Sequence, residues 1–269
     1  MVIVLKDLSM VIASISGGRD STAMLLRCLE LGERIDYIIF NDTLQELPIM
    51  YEYLQKVNKY IMNKYNKSIV FTKPMATFEY WVFGKLGSRS KKAGYIRGIP
   101  KKTDACWWRR ESKIYPAERF YKSIGIDIKD LESYTRLIGF TKSEEHRAKD
   151  TINERYPLIE WNWCEGDVDL YLKSIDMVNP LYDYFSRTGC GMCPYMSLRG
   201  YYIVWKFFPK TWRFMKKIER KLFRLQRNGV KVNNCTWHDR YTLKELERDF
   251  KTGSKTYDDT PTKECLCAI

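Results

Sequence analysis

The run Ser16-Gly17-Gly18-Arg19-Asp20-Ser21 constrains this chain more than any other stretch of it. An apolar segment, 10–15, leads into it, and apolar residues at helical spacing (Ala23, Leu26, Leu29) follow over 22–31. A strand that turns through two glycines into a helix brings backbone N–H groups and the positive helix end to one place. That geometry binds an anion such as phosphate. The two serine hydroxyls and the Arg19 guanidinium supply further donors. The Walker pattern is not used, because no Gly-Lys-Ser/Thr follows at its spacing.

The same alternation continues downstream. Short β-rich runs at 36–41, 68–72 and 134–140 are separated by helical patterns at 48–65, 117–123 and 165–175, which predicts a parallel α/β sheet flanked by helices. The Gly-, Ser- and Lys-rich stretch 84–103 reads as an exposed basic loop. Asp42 follows the second strand. At the C-terminal edge of a parallel sheet an acid stands where ligands bind, so Asp42 is expected to serve a nucleotide or magnesium rather than merely cap a turn.

Charge separates the two ends of the chain. Of 269 residues, 46 are Lys or Arg and 33 Asp or Glu, a net +13 that favours a polyanionic partner. The excess is concentrated at 199–227, with ten Lys/Arg against the single acid Glu219. Met215, Ile218, Leu222 and Leu225 recur there at helical spacing, and Trp205, Phe208 and Trp212 are interleaved. One face packs and the others are basic, a pattern suited either to solvent or to nucleic acid. We therefore expect a domain at 1–198 and a basic, mostly helical extension at 199–269, polar and mobile from 251. No apolar run reaches the ~20 residues of a membrane helix, and the apolar start 1–5 meets Lys6 and Asp7 at once, unlike a signal peptide. A cytoplasmic, reducing location is expected, with the eight cysteines as thiols or metal ligands. Only His146 and His238 are present, which argues against a histidine relay. Cys190-Gly191-Met192-Cys193, between Gly189 and Pro194, has the spacing at which two thiolates reach one metal, although a redox-silent pair reads the same. Cys28 falls on the apolar side of the first helix and reads as core.

The strand–SGGRDS–helix unit resembles the pyrophosphate loop of the PP-loop ATP pyrophosphatases, with Arg19 where Lys is usual. Asn41-Asp42-Thr43 with Glu46 and Pro48, Gly98-Ile99-Pro100, Cys106 with Lys113 and Pro116, and 137–147 ending in Arg147 fall in the order of the phosphoadenosine-phosphosulfate reductase-like branch. So do Tyr156–Trp161, Asp167-Val168, Asn179-Pro180-Leu181-Tyr182 and the Gly-Cys-x-x-Cys-Pro segment. The resemblance spans about 10–200. It implies a Rossmann-like, adenine nucleotide alpha hydrolase-like fold. ATP and Mg2+ are then expected on Ser16, Gly17, Gly18, Arg19, Asp20, Ser21, Asp42, Thr43 and Arg147, with Asp20, Asp42 and Lys113 in the chemistry. It also implies a metal at Cys106, Cys190 and Cys193, either a [4Fe-4S] cluster with one open iron or Zn2+. Ala105 replaces the tandem cysteine of cluster-bearing sulfonucleotide reductases. Glu264-Cys265 resembles in part their C-terminal nucleophile segment, which nominates Cys265.

Three functions follow. One is adenylation of a substrate oxygen so that sulfur can replace it, on DNA or RNA, with sulfur from a donor such as a cysteine desulfurase; components of DNA phosphorothioation systems are similar. The second is a sulfonucleotide reductase that releases sulfite through Cys265. The third is a non-catalytic regulator that binds nucleotide or nucleic acid on the same scaffold.

Overall fold

The computed structural model describes residues 9–257. Cys265 and Cys267 lie outside the described residues. Five strands form one wholly parallel sheet: β1 (Met10–Ile15), β2 (Tyr37–Asn41), β3 (Ile69–Thr72), β4 (Tyr134–Leu137) and β5 (Glu154–Arg155), in the order β3-β2-β1-β4-β5. Ile12 lies opposite Tyr37 on one side and Arg136 on the other, so β1 is central. Its Ile12, Ala13 and Ile15 are buried, as expected for a strand covered on both faces.

Helices α1 (Arg19–Glu30) and α2 (Pro48–Tyr65) follow β1 and β2. The later helices of this part are α4 (Tyr115–Ser123) and α5 (Glu165–Ser174). Tyr121 of α4, with Ile126 and Tyr134, packs on Ile12 and Ile39 of the sheet. On α1 the side chains from Thr22 to Leu26, with Cys28 and Leu29, are buried. The helix starts at Arg19, three residues earlier than the apolar periodicity suggests, because polar Arg19, Asp20 and Ser21 form its first turn. Strand β4 stops at Leu137, short of residue 140: Ile138 still donates to the Arg155 carbonyl at 3.0 Å, and Gly139 and Phe140 leave the sheet. The two-residue β5 carries no periodicity for a sequence reading to find.

The chain divides into two compact units. The first holds the sheet: the described residues up to Asp42, then Pro48–Lys73 and Lys113–Tyr182. The second comprises Thr43–Leu47, Pro74–Ser112 and the described residues from Asp183 onward, so the division does not fall at residue 198. Its helices are α3 (Phe78–Phe83), α6 (Leu198–Phe207), α7 (Pro209–Arg227) and α8 (Leu243–Thr252). Pro209 at the first position of α7 separates it from α6, so the basic stretch is two helices. Trp212, Met215, Ile218 and Leu222 bury one stripe of α7. A Thr242–Glu245 capping box starts α8, and Gly253, at φ 71°, ends it. The stretch 84–103 is not wholly exposed: Ile96 bridges Lys85 and Val232, and Gly98, Ile99 and Pro100 are buried. A Cβ on Gly98, at φ +71°, would stand 2.1 Å from the Asn234 carbonyl oxygen, so only glycine fits that crossing.

Candidate nucleotide site

The turn after β1 is built by Gly17 and Gly18. Gly17 has φ +74°, so the position needs glycine for its conformation, and a Cβ there, 2.3 Å from the Met50 sulfur, would also have to displace that side chain. Gly18 is the N-cap of α1 and has no side chain with which to cap it. Ser21 Oγ accepts from the Ser16 N–H at 3.1 Å, Ser16 Oγ from the Gly18 N–H at 3.2 Å, and the Tyr182 hydroxyl from the Arg19 N–H at 3.0 Å. These three hydroxyls occupy amides that phosphate oxygens would take.

Residues distant in sequence clamp the loop from behind. Asn179, wholly buried, donates from Nδ2 to the Gly17 carbonyl at 2.7 Å and accepts the Leu181 N–H at 2.9 Å. Both oxygens of Asp169 accept from one Arg19 guanidinium nitrogen at 3.1 Å, and that guanidinium lies over the Tyr182 ring at 5.0 Å. Gly139 lets the segment after β4 pass close to α1, since a Cβ there would stand 2.7 Å from Ser21 Cα. The loop after β1 and the segment after β4 thus border the crevice where the strand order reverses, the ordinary ligand position in open α/β sheets.

Two carboxyls stand at this edge. Asp42 is buried directly after β2, its N–H donating to the Thr72 carbonyl at 2.9 Å and its Oδ1 accepting the Tyr51 hydroxyl at 2.7 Å. Asp20 Oδ1 is buried and meets no hydrogen-bond donor. Burial pushes the Asp20 carboxyl up to about 6; Arg19 opposes the shift, while Glu144, Glu165 and Asp169 add to it. Hard carboxylate oxygens of this kind, one of them unpartnered, fit a magnesium ion that arrives with nucleotide phosphates.

Arg147 pairs with Glu144 and lies over the Phe140 ring at 4.4 Å. Lys113 is half-buried in the π-helical turn Arg110–Ile114. Thr43 belongs to the second unit, where its hydroxyl donates to Glu46 at 2.7 Å. The three nominated thiols are also in that unit. Cys190 and Cys193 share one turn, with the Cys193 N–H on the Cys190 carbonyl, and Gly191 donates to the Gln45 carbonyl at 2.8 Å. Tyr195 donates to the Asp104 carbonyl at 2.5 Å; burial first, then the charges of Cys106 and Cys193, raise its pKa. Among the described residues, however, no three His, Cys, Asp or Glu side chains stand in a metal-holding arrangement. Asp169 and Tyr51 carried no signal of a role at the site, and Gly139, Asn179 and Tyr182 only a place in a motif.

No helix among the described residues is long and apolar enough to cross a membrane. In comparisons with known proteins, residues 10–196 match the phosphoadenosine phosphosulfate reductase domain. A curated relative, uncharacterized protein MJ0066 of Methanocaldococcus jannaschii, is 26% identical over 218 residues. That match covers 78% of this chain but only 42% of the relative, so the chain spans less than half of that protein's length. The crystal structure of phosphoadenylyl-sulfate reductase from Candida auris, a phosphate complex, is 21% identical, with a TM-score of 0.44 over 67% of this chain and 80% of that one. With well over half of its length matched by the domain model, this chain belongs to the phosphoadenosine phosphosulfate reductase domain family, whose members are enzymes.

Proposed function

We propose that this protein is an ATP pyrophosphatase that adenylates a substrate oxygen, preparing it for replacement by sulfur on a nucleic acid. The observation that carries the reading is the unbroken Ser16–Ser21 loop, with Gly17 at φ +74° and the N-terminus of α1 behind it. The amides of the loop and the hydroxyls of Ser16 and Ser21 hold the β- and γ-phosphates, and Arg19 supplies a planar cation beside them. Magnesium, when bound, neutralises the charge that builds on the leaving pyrophosphate. Asp20 and Asp42 are the carboxylates that would hold it. The substrate oxygen attacks the α-phosphorus, the bond to the β-phosphate breaks, and pyrophosphate leaves with the electron pair. The terminal sulfur of a persulfide on a donor such as a cysteine desulfurase then displaces AMP to give a disulfide-linked product, and a thiol reductant cleaves that disulfide to leave the sulfur on the substrate.

The family match favours a second reading, reduction of a sulfonucleotide with Cys265 as nucleophile. Calorimetry separates the two. Magnesium ATP binding at micromolar concentration, lost in Asp42→Asn, supports the first. Tight binding of phosphoadenosine phosphosulfate with no ATP binding establishes the second.

A further inference from the structure

Helix α7 and the start of α8 border an open groove of about 710 Å³ within the second unit. Its lining carries six cations: Lys217, Arg220, Lys221, Arg224 and Arg227 from α7, and Lys244 from α8. The one acid of the lining, Glu219, is committed internally. Its Oε2 accepts the Leu243 N–H at 2.8 Å and so draws the N-terminus of α8 onto α7. Burial pushes this carboxyl up to about 7, which reduces the negative charge it brings to the groove.

The six cations are not equivalent. Lys217 pairs with Glu79 at 3.1 Å, and the Lys221 ammonium lies 4.0 Å from the Phe83 ring centre. Arg220, Arg224 and Arg227 are exposed, with no carboxylate partner among the described residues. Their spacing of four and three places them in a row on one helix face. At about 1.5 Å of rise per residue the row is roughly 10 Å long. A nucleic-acid duplex presents one phosphate charge per ~1.7 Å of axis counting both strands, so about six charges, roughly three on each strand, lie along such a length.

We propose that this groove seats the sugar–phosphate backbone of a nucleic-acid duplex. Two observations select that occupant. A single strand is held largely by bases stacked on exposed aromatics, but Phe208 and Trp212 are buried, Trp205 is packed against Tyr202 and Phe250, and Phe223, the one aromatic of the lining, is half-buried. A bilayer takes up a helix through an exposed apolar face, and no large apolar side chain of α7 is exposed. What α7 offers outward is mainly charge, with Phe214, Phe223 and Leu225 half-buried. The inference deepens the nucleic-acid part of the proposed function, but it needs neither ATP nor the loop.

The test is the salt dependence of binding by the full chain, without nucleotide, to a 20-base-pair DNA duplex, an RNA duplex and a single strand. The wild-type chain should bind a duplex at least tenfold more tightly than the single strand. The triple variant Arg220→Gln/Arg224→Gln/Arg227→Gln should lose tenfold or more, with its log–log salt slope shallower by two to three at about 0.9 per phosphate. A charge-matched control, Lys59→Gln/Lys129→Gln/Lys173→Gln, should bind within twofold of wild type. Equal losses in both variants, an unchanged slope in the arginine variant, or equal binding of single strand and duplex would each overturn the proposal. Displacement of the duplex by phosphatidylserine vesicles, lost in the arginine variant, would overturn it in favour of a membrane. Magnesium ATP binding is measured on the same samples: if it persists while duplex binding is absent, this inference fails and the nucleotide reading stands.

Discussion

Asp169 holds Arg19 through both of its carboxylate oxygens, each 3.1 Å from the same guanidinium nitrogen. The pair is part-exposed, and such ion pairs contribute only about 0.2–1 kcal/mol. Any phosphate that recruits Arg19 has to compete with this carboxylate. Asp169→Asn should therefore raise magnesium ATP affinity two- to fivefold in calorimetry, with the melting temperature nearly unchanged. Weaker binding in that variant would show that Asp169 positions Arg19 for the phosphate rather than competing for it.

Asp20 gives the loop a pH dependence. Its carboxyl titrates near 6 in the folded chain, against ~3.9 when unfolded, so folding takes up a proton between about pH 4 and 6. Stability from this group falls as pH rises through that window, and Asp20→Asn should remove the dependence. Without magnesium, ionised Asp20 repels phosphates, so ATP affinity should increase as pH drops from 7 to 5.5 in the wild type and stay flat in Asp20→Asn. Titrations at four pH values check both.

Asp42 is buried and holds the Tyr51 hydroxyl at 2.7 Å. Asp42→Asn retains an acceptor for that hydroxyl but removes the charge a magnesium ion needs. Pyrophosphate release should fall about 100-fold (about 2.7 kcal/mol), with the melting temperature within a few degrees. Tyr51→Phe should fall far less. Equal losses would assign Asp42 a packing role.

Glu219 links α7 to α8 through Leu243, and one of its oxygens is buried without a partner. Its carboxyl is raised to about 7 by burial, so the fold binds a proton there that the unfolded chain releases above about pH 4.3. Stability should decline from pH 5 to pH 8, and Glu219→Gln should make the chain more stable than wild type at pH 8, on the order of 1–2 kcal/mol. Thermal melts at the two ends of that range decide it.

The loop and the strands around it were legible because local rules govern them. Apolar runs mark β1 and β2, and Gly17 with Gly18 marks the turn. What holds the loop was not legible. Asn179 lies 162 positions from Gly17, and Asp169 lies 150 from Arg19, and no periodicity pairs residues at such separations. The basic stretch shows the same limit. Its charge was plain, but Lys216 turns to Glu247, Lys217 to Glu79, and Trp212 goes to the core. The cations that stay outward are therefore a subset that only packing defines. The loop-like composition of 84–103 likewise hid Ile96 and Gly98, which are buried against 232–234.

The most direct test of the central claim is product analysis with ATP labelled at the α-phosphate, using full-length protein purified without oxygen, with magnesium, duplex DNA and tRNA each supplied in turn. Cleavage between the α- and β-phosphates leaves the label in AMP or in an adenylated nucleic acid, with one pyrophosphate per event and nothing in ADP. Asp42→Asn should abolish that signal. Label appearing in ADP, or inert ATP alongside sulfite release from phosphoadenosine phosphosulfate, would contradict the account.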